Sequence, residues 1–137
     1  MLVLDTNVIS EAMRGRDADP RVIAWLRNLP MQPVTTVVNR AEILAGLALL
    51  PKGARRDRLQ GAARSAFDML GVTLPLMPEA ADHYAAIVAL RRQSGRPIGG
   101  MDALVAAICL ASGARLATRD TLDFEGVGLD LINPWTE

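Results

Sequence analysis

The chain has 137 residues, half of them hydrophobic, with 15 basic and 15 acidic side chains and no formal net charge. That length suits one domain able to bury a core without disulfides, and the single Cys109 excludes a disulfide framework within the chain. Balanced charge argues against broad adhesion to nucleic acid. No basic leader and no apolar run near about 18 residues suggests export or membrane insertion, so the cytosol is the expected compartment.

The apolar run Leu2-Val3-Leu4, stopping abruptly at Asp5-Thr6-Asn7, reads as a short strand buried on both faces. Asp5 then lies outside the carboxyl end of a strand, where open α/β sheets keep their ligands. Capping of the following helix, Val8 to Met13, is the structural alternative for Asp5 and Asn7. The polar run Arg14-Gly15-Arg16-Asp17-Ala18-Asp19 follows, and Pro20 is placed to open a second helix. Val22, Trp25, Leu26 and Leu29 repeat there at helical spacing, so Trp25 is expected in the core.

Val34 to Val38 reads as a β-branched second strand. Asn39 with Glu42 three residues on imitates a capping box, which would give Glu42 a purely structural role at the start of its helix. That helix, through Ile43, Leu44, Leu47, Leu49 and Leu50, is apolar on nearly every side and must be covered by the core plus a neighbouring helix or by a second subunit. Pro51-Lys52-Gly53 breaks it. A helix from Ala54 to Leu70 sets Arg55, Arg56, Arg58 and Arg64 opposite Leu59, Ala63, Phe67 and Leu70. Val72 to Leu76 fits a third strand, at an edge because it holds Pro75.

Glu79 to Gln93 is helical and closes in the basic turn Arg91 to Pro97. His83, the only histidine, reads as an exposed or capping residue. Gly99-Gly100-Met101-Asp102 opens an apolar helix ended by Ser112-Gly113. A carboxylate in the first turn, such as Asp102, gains about 0.3–1 kcal/mol from the helix macrodipole, which is its structural alternative. Cys109 falls on that helix's apolar face and reads as a buried thiol. Arg115 to Thr118 is a fourth strand with Arg119-Asp120-Thr121 at its carboxyl end, and Leu129 to Ile132 a fifth.

Strands alternating with helices imply a mostly parallel sheet with right-handed crossovers. Asp5, Glu42, Asp102 and Asp120 then fall on one edge, at the switch point between strands one and four. Two carboxylates about 4 Å apart repel by about 4 kcal/mol at an effective dielectric near 20, a conflict that a bound cation removes. All-oxygen ligands select a hard ion, Mg²⁺ or Mn²⁺, which can activate water and stabilise the leaving oxygen of a phosphodiester. A lone His83 weighs against paired acid–base attack by the RNA 2′-hydroxyl. Arg14, Arg16 and Arg119 are candidate phosphate contacts on the same edge, since Arg supplies 14 of the 15 bases.

Four short motifs carry a family resemblance: Leu4-Asp5-Thr6-Asn7, Ala41-Glu42-Ile43, the helix opening Met101-Asp102-Ala103-Leu104, and Ala117-Thr118-Arg119-Asp120-Thr121. Together they resemble the PIN-domain nucleases, in particular the VapC-type ribonuclease toxins of bacterial toxin–antitoxin pairs, whose FitB-like branch shares the Asn133-Pro134-Trp135 tail. The resemblance implies a single domain over residues 1–137, α/β in three layers, with a five-stranded parallel sheet in the order 3-2-1-4-5. It also implies endoribonuclease activity dependent on Mg²⁺ or Mn²⁺, a homodimer, inhibition by a cognate antitoxin, and DNA contact only through that antitoxin. Asp5, Glu42, Asp102 and Asp120 match the metal-binding carboxylates; Asn7 and Thr118 match supporting positions. Asn39 departs from the Ser or Thr frequent there. Two other readings stand beside it: an aspartyl-nucleophile phosphatase, which needs an acid where Asn7 stands, and a non-catalytic module that dimerises and regulates DNA with its antitoxin.

Overall fold

A computed structural model describes all residues from Met1 to Glu137. The order of elements is β1 (Leu2–Leu4), α1 (Thr6–Ala12), a 3₁₀ turn (Gly15–Asp17), α2 (Pro20–Arg27), β2 (Thr35–Thr36), α3 (Val37–Ala48), α4 (Ala54–Met69), β3 (Thr73–Leu74), α5 (Glu79–Gln93), α6 (Gly100–Ser112), β4 (Arg115–Ala117), a second 3₁₀ turn (Thr121–Phe124) and β5 (Leu131–Ile132). No helix is long and apolar enough to cross a membrane.

β4 pairs in parallel with β1 on one side and β5 on the other, and β2 pairs in parallel with β3. The two ladders meet at a parallel bridge between Val3 and Val34, where Leu4 N–H donates to the Val34 carbonyl (2.8 Å) and Val34 N–H to the Leu2 carbonyl (2.9 Å). The five-stranded parallel sheet that the family resemblance implies is built here as a three-stranded and a two-stranded ladder sharing one seam.

β1 is apolar on both faces because both are covered. Val3 joins the core built with α5 and α6, including Val105, Ile108, Leu116 and Phe124. Leu2 and Leu4 point the other way, to Val8, Ile9, Val22, Ile43 and Leu47. Trp25 packs on the edge of that second core rather than inside it. Cys109 is fully buried, and burial pushes its thiol up to about 12, which leaves it inert. Gly113 ends α6 at φ 64°, a left-handed conformation that a side chain would strain.

Three expectations fail locally. The second strand stops at Thr36, and Val37 and Val38 belong to α3. Thr36, not Asn39, is the N-cap: its hydroxyl accepts from Asn39 N–H (3.2 Å) in extended backbone. β-Branched propensity lost to a cap of the right chemistry one turn earlier. The first helix likewise begins at Thr6, two residues sooner than its apolar pattern suggests, because Asp5 caps it. Arg91, read as the start of a basic turn, lies within α5 and is buried.

Candidate active site

Asp5 is carried to the carboxyl end of β1 and is only 5% exposed. Its Oδ1 accepts from Thr6 N–H and from Asn39 Nδ2 (both 2.9 Å), and its Oδ2 from the Thr118 hydroxyl (2.7 Å). Burial nevertheless raises its pKa above the ordinary carboxylate value; the hydrogen bonds from Thr118, Thr6 and Asn39 oppose that, while the charge of Glu42 adds to it. Its capping role and its place at the sheet edge are both real, so the structural alternative did not exclude the functional one.

Freed from the capping box, Glu42 turns toward β1. Its Oε1 accepts from the Thr6 hydroxyl (2.9 Å), which in turn accepts from Asn39 Nδ2 (3.1 Å). Asn39 is fully buried, with its Oδ1 accepting from the Thr36 hydroxyl (2.7 Å), so one amide fixes Asp5 and Thr6 together. On the other side Thr118 is also fully buried. Its oxygen accepts from Asn7 Nδ2 (3.2 Å) and Asp120 N–H (3.0 Å) while its hydrogen goes to Asp5. Asn7 Nδ2 also donates to Asp120 Oδ2 (3.1 Å), and Asn7 Oδ1 accepts from Arg119 N–H (3.1 Å). No buried side-chain polar atom is left without a partner.

Asp102, in the first turn of α6, is partly exposed. Its pKa is pushed up to about 6, first by burial and then by the negative charges of Asp5, Asp123, Glu42 and Asp120. Acids from β1, α3 and the segment after β4 therefore act on one carboxyl at the start of α6. Asp123, in the second 3₁₀ turn, was not among the residues expected here; the Asp120-x-x-Asp123 spacing, which sets two acids one short turn apart, was the signal that could have found it. Asn39 was missed as a site residue because its helix-start chemistry explained it too easily, and Thr6 because nothing local in sequence shows that its hydroxyl reaches Glu42.

The arginines divide. Arg14 lines a cleft of about 280 Å³ beside Thr6 and Glu42, but its guanidinium is engaged by the buried Glu11 (3.1 Å). Arg119 lies over the Trp135 ring (5.1 Å to the centroid). Arg16 is exposed on the first 3₁₀ turn.

The donors here are oxygens throughout, neighbouring negative charges help raise the pKa values of Asp5 and Asp102, and Asp5 is wrapped in hydrogen bonds that preset its orientation. Those properties fit a hard divalent cation. No three of the acidic, His or Cys side chains close on a common point by themselves. Mg²⁺ held through one or two carboxylates and its own waters does not need them to.

A family model described as the PIN domain matches residues 2–128. The chain belongs to the PIN domain family. This PIN domain is 41% identical to the VapC ribonuclease Y4jK of Sinorhizobium fredii, with 98% of each chain covered. It is 34% identical to the toxin FitB of Neisseria gonorrhoeae, covering 98% of this chain and 99% of that one. A solved structure of FitAB bound to an IR36 DNA fragment superposes with a TM-score of 0.85 at 33% identity, covering 98% of this PIN domain and 96% of that chain.

Proposed function

We propose that this PIN domain, over its whole length, is a metal-dependent endoribonuclease that serves in the cytoplasm as the toxin of a type II toxin–antitoxin pair. The observation that carries the reading is the hydrogen-bond network that ties Asp5, Glu42 and Asp120 together through Thr6, Asn39, Thr118 and Asn7, at the edge where Asp102 opens α6. Relatives named as a VapC ribonuclease and as the toxin FitB agree with it.

In this reading Asp5, Glu42, Asp102 and Asp120 would hold Mg²⁺ or Mn²⁺, one or two of them directly and the others through its waters. Such an ion, when bound, lowers the pKa of water and offsets charge on the leaving oxygen of a phosphodiester. The chain's own contribution is positional. Thr118, Thr6 and Asn39 fix the Asp5 carboxylate, and Thr6 restrains Glu42. Asn7 ties Asp120 to the same hydroxyl that holds Asp5. It cannot serve as the second acid of an aspartyl-phosphate enzyme, which sets the phosphatase reading aside.

A homodimer would cover Val37, Leu44 and Leu49 of the α3 region, which are 40%, 48% and 85% exposed. Contact with DNA would pass through a cognate antitoxin, as suggested by the DNA-bound FitAB relative.

Asp5→Asn keeps the shape of the buried group and removes its charge. With Mg²⁺ or Mn²⁺, the native chain is expected to cut RNA into 5′-phosphate and 3′-hydroxyl ends, and the variant to lose that activity. Termini bearing 2′,3′-cyclic phosphate, or an equally active Asp5→Asn protein, would overturn the reading.

A further inference from the structure

Arg91, near the end of α5, is 6% exposed and makes no ion pair, since the four salt bridges of the chain involve other residues. Its Nε donates to the Arg96 carbonyl (2.7 Å), and its Nη1 to the carbonyls of Asp123 (2.7 Å) and Glu125 (3.2 Å). The first of these lies in the turn that leads into Gly99 and Asp102. The other two lie in the segment that carries Asp120 and Asp123. No backbone–backbone hydrogen bond joins the two segments. Side chains do it instead: the buried Arg91, and the exposed Arg96 through the Leu122 carbonyl and the Glu125 carboxylate (both 3.3 Å).

A buried guanidinium is costly to desolvate, and a neutral amide would satisfy one of these carbonyls more cheaply. Only the planar fork reaches three carbonyls on two segments at once.

We propose that Arg91 is a positioning residue of the acidic site, clamping the Asp102 turn to the Asp123 segment so that the two carboxylates keep their spacing. The proposal rests on the nuclease reading above. It requires that loss of the clamp act on the site before it acts on the fold, because α5 and α6 remain packed through Ile87, Val105 and Ile108.

The test compares Arg91→Met, Arg91→Lys and, as a milder control, Arg96→Ala with the native chain. Amide hydrogen exchange of the metal-free proteins is read by mass spectrometry, Mn²⁺ binding by calorimetry without RNA, and cleavage at saturating Mn²⁺. Arg91→Met is expected to lose protection over residues 94–99 and 120–126 alone and to bind Mn²⁺ about tenfold more weakly, the usual cost of losing a group that orients ligands. Cleavage should fall with it, Arg91→Lys should lie between, and Arg96→Ala should change least. Native-like Mn²⁺ affinity and cleavage in Arg91→Met, or a loss of protection spread over the whole chain, would overturn the clamp. Should the native chain itself neither bind Mn²⁺ nor cut RNA, the nuclease reading fails, and the exchange pattern decides the clamp alone: confined to those two segments it stands, spread or absent it falls.

Discussion

Asp102→Asn is expected to inactivate the protein and, in the absence of metal, to make it more stable. The folded carboxyl titrates near 6 against an ordinary 3.8. A difference of that size corresponds to about 3 kcal/mol of penalty on the charged form. The group is partly exposed, so solvent screening reduces this to about 1–2 kcal/mol. The variant also forfeits the macrodipole contact of a first-turn acid, about 0.3–1 kcal/mol, leaving a net gain of about 1 kcal/mol. For a chain of this length that raises the melting temperature by about 3 °C. The sign follows from the raised pKa: the carboxyl's contribution is fully present below 3.8 and is lost as pH rises through about 6, so the variant's advantage should appear at pH 7.5 and vanish at pH 4. Thermal unfolding followed by circular dichroism in EDTA at both pH values measures it, and added Mg²⁺ should stabilise the native chain more than the variant. An Asp102→Asn protein melting at or below the native temperature at pH 7.5, or one with the same advantage at pH 4, would refute the electrostatic account of the site.

The two buried donors to Asp5 yield a second expectation. Thr118→Val and Asn39→Leu each remove a hydrogen bond to a buried carboxylate, worth about 1.5–3 kcal/mol, and the double variant should cost less than the sum because both act on one charge. Denaturant unfolding at pH 7 reads both terms; strict additivity would mean that the two sides of the network are independent. Sedimentation at micromolar concentration is expected to find a dimer, and a monomer there would remove the homodimer from the proposal.

The alternation of apolar strands and helices was legible because it follows from burial on both faces of β1, and Glu79–Gln93 fell where its pattern set it. Asp5, Asp102 and Asp120 could be assigned to the sheet edge because each stands at the end or start of an element, whereas Glu42 lies in the second turn of α3. What escaped were contacts between residues far apart in the chain. Asn39 read as a cap because capping is a local act; that its amide reaches Asp5, 34 positions away, depends on how α3 docks against β1. Glu42 read as its partner in a capping box until Thr36 took the cap. Arg91 read only as part of a basic turn because, besides the Arg96 carbonyl, its acceptors lie 32 and 34 residues on.

By itself, then, the order of residues determined the layered α/β architecture, the family and the edge on which the acids gather, since these depend on periodicity and on position within elements. Tertiary structure alone decided which donors hold each carboxylate, that Asp123 joins the others, and that a buried arginine ties their two segments together. Such bonds form between groups distant in sequence, and packing rather than local propensity selects their partners.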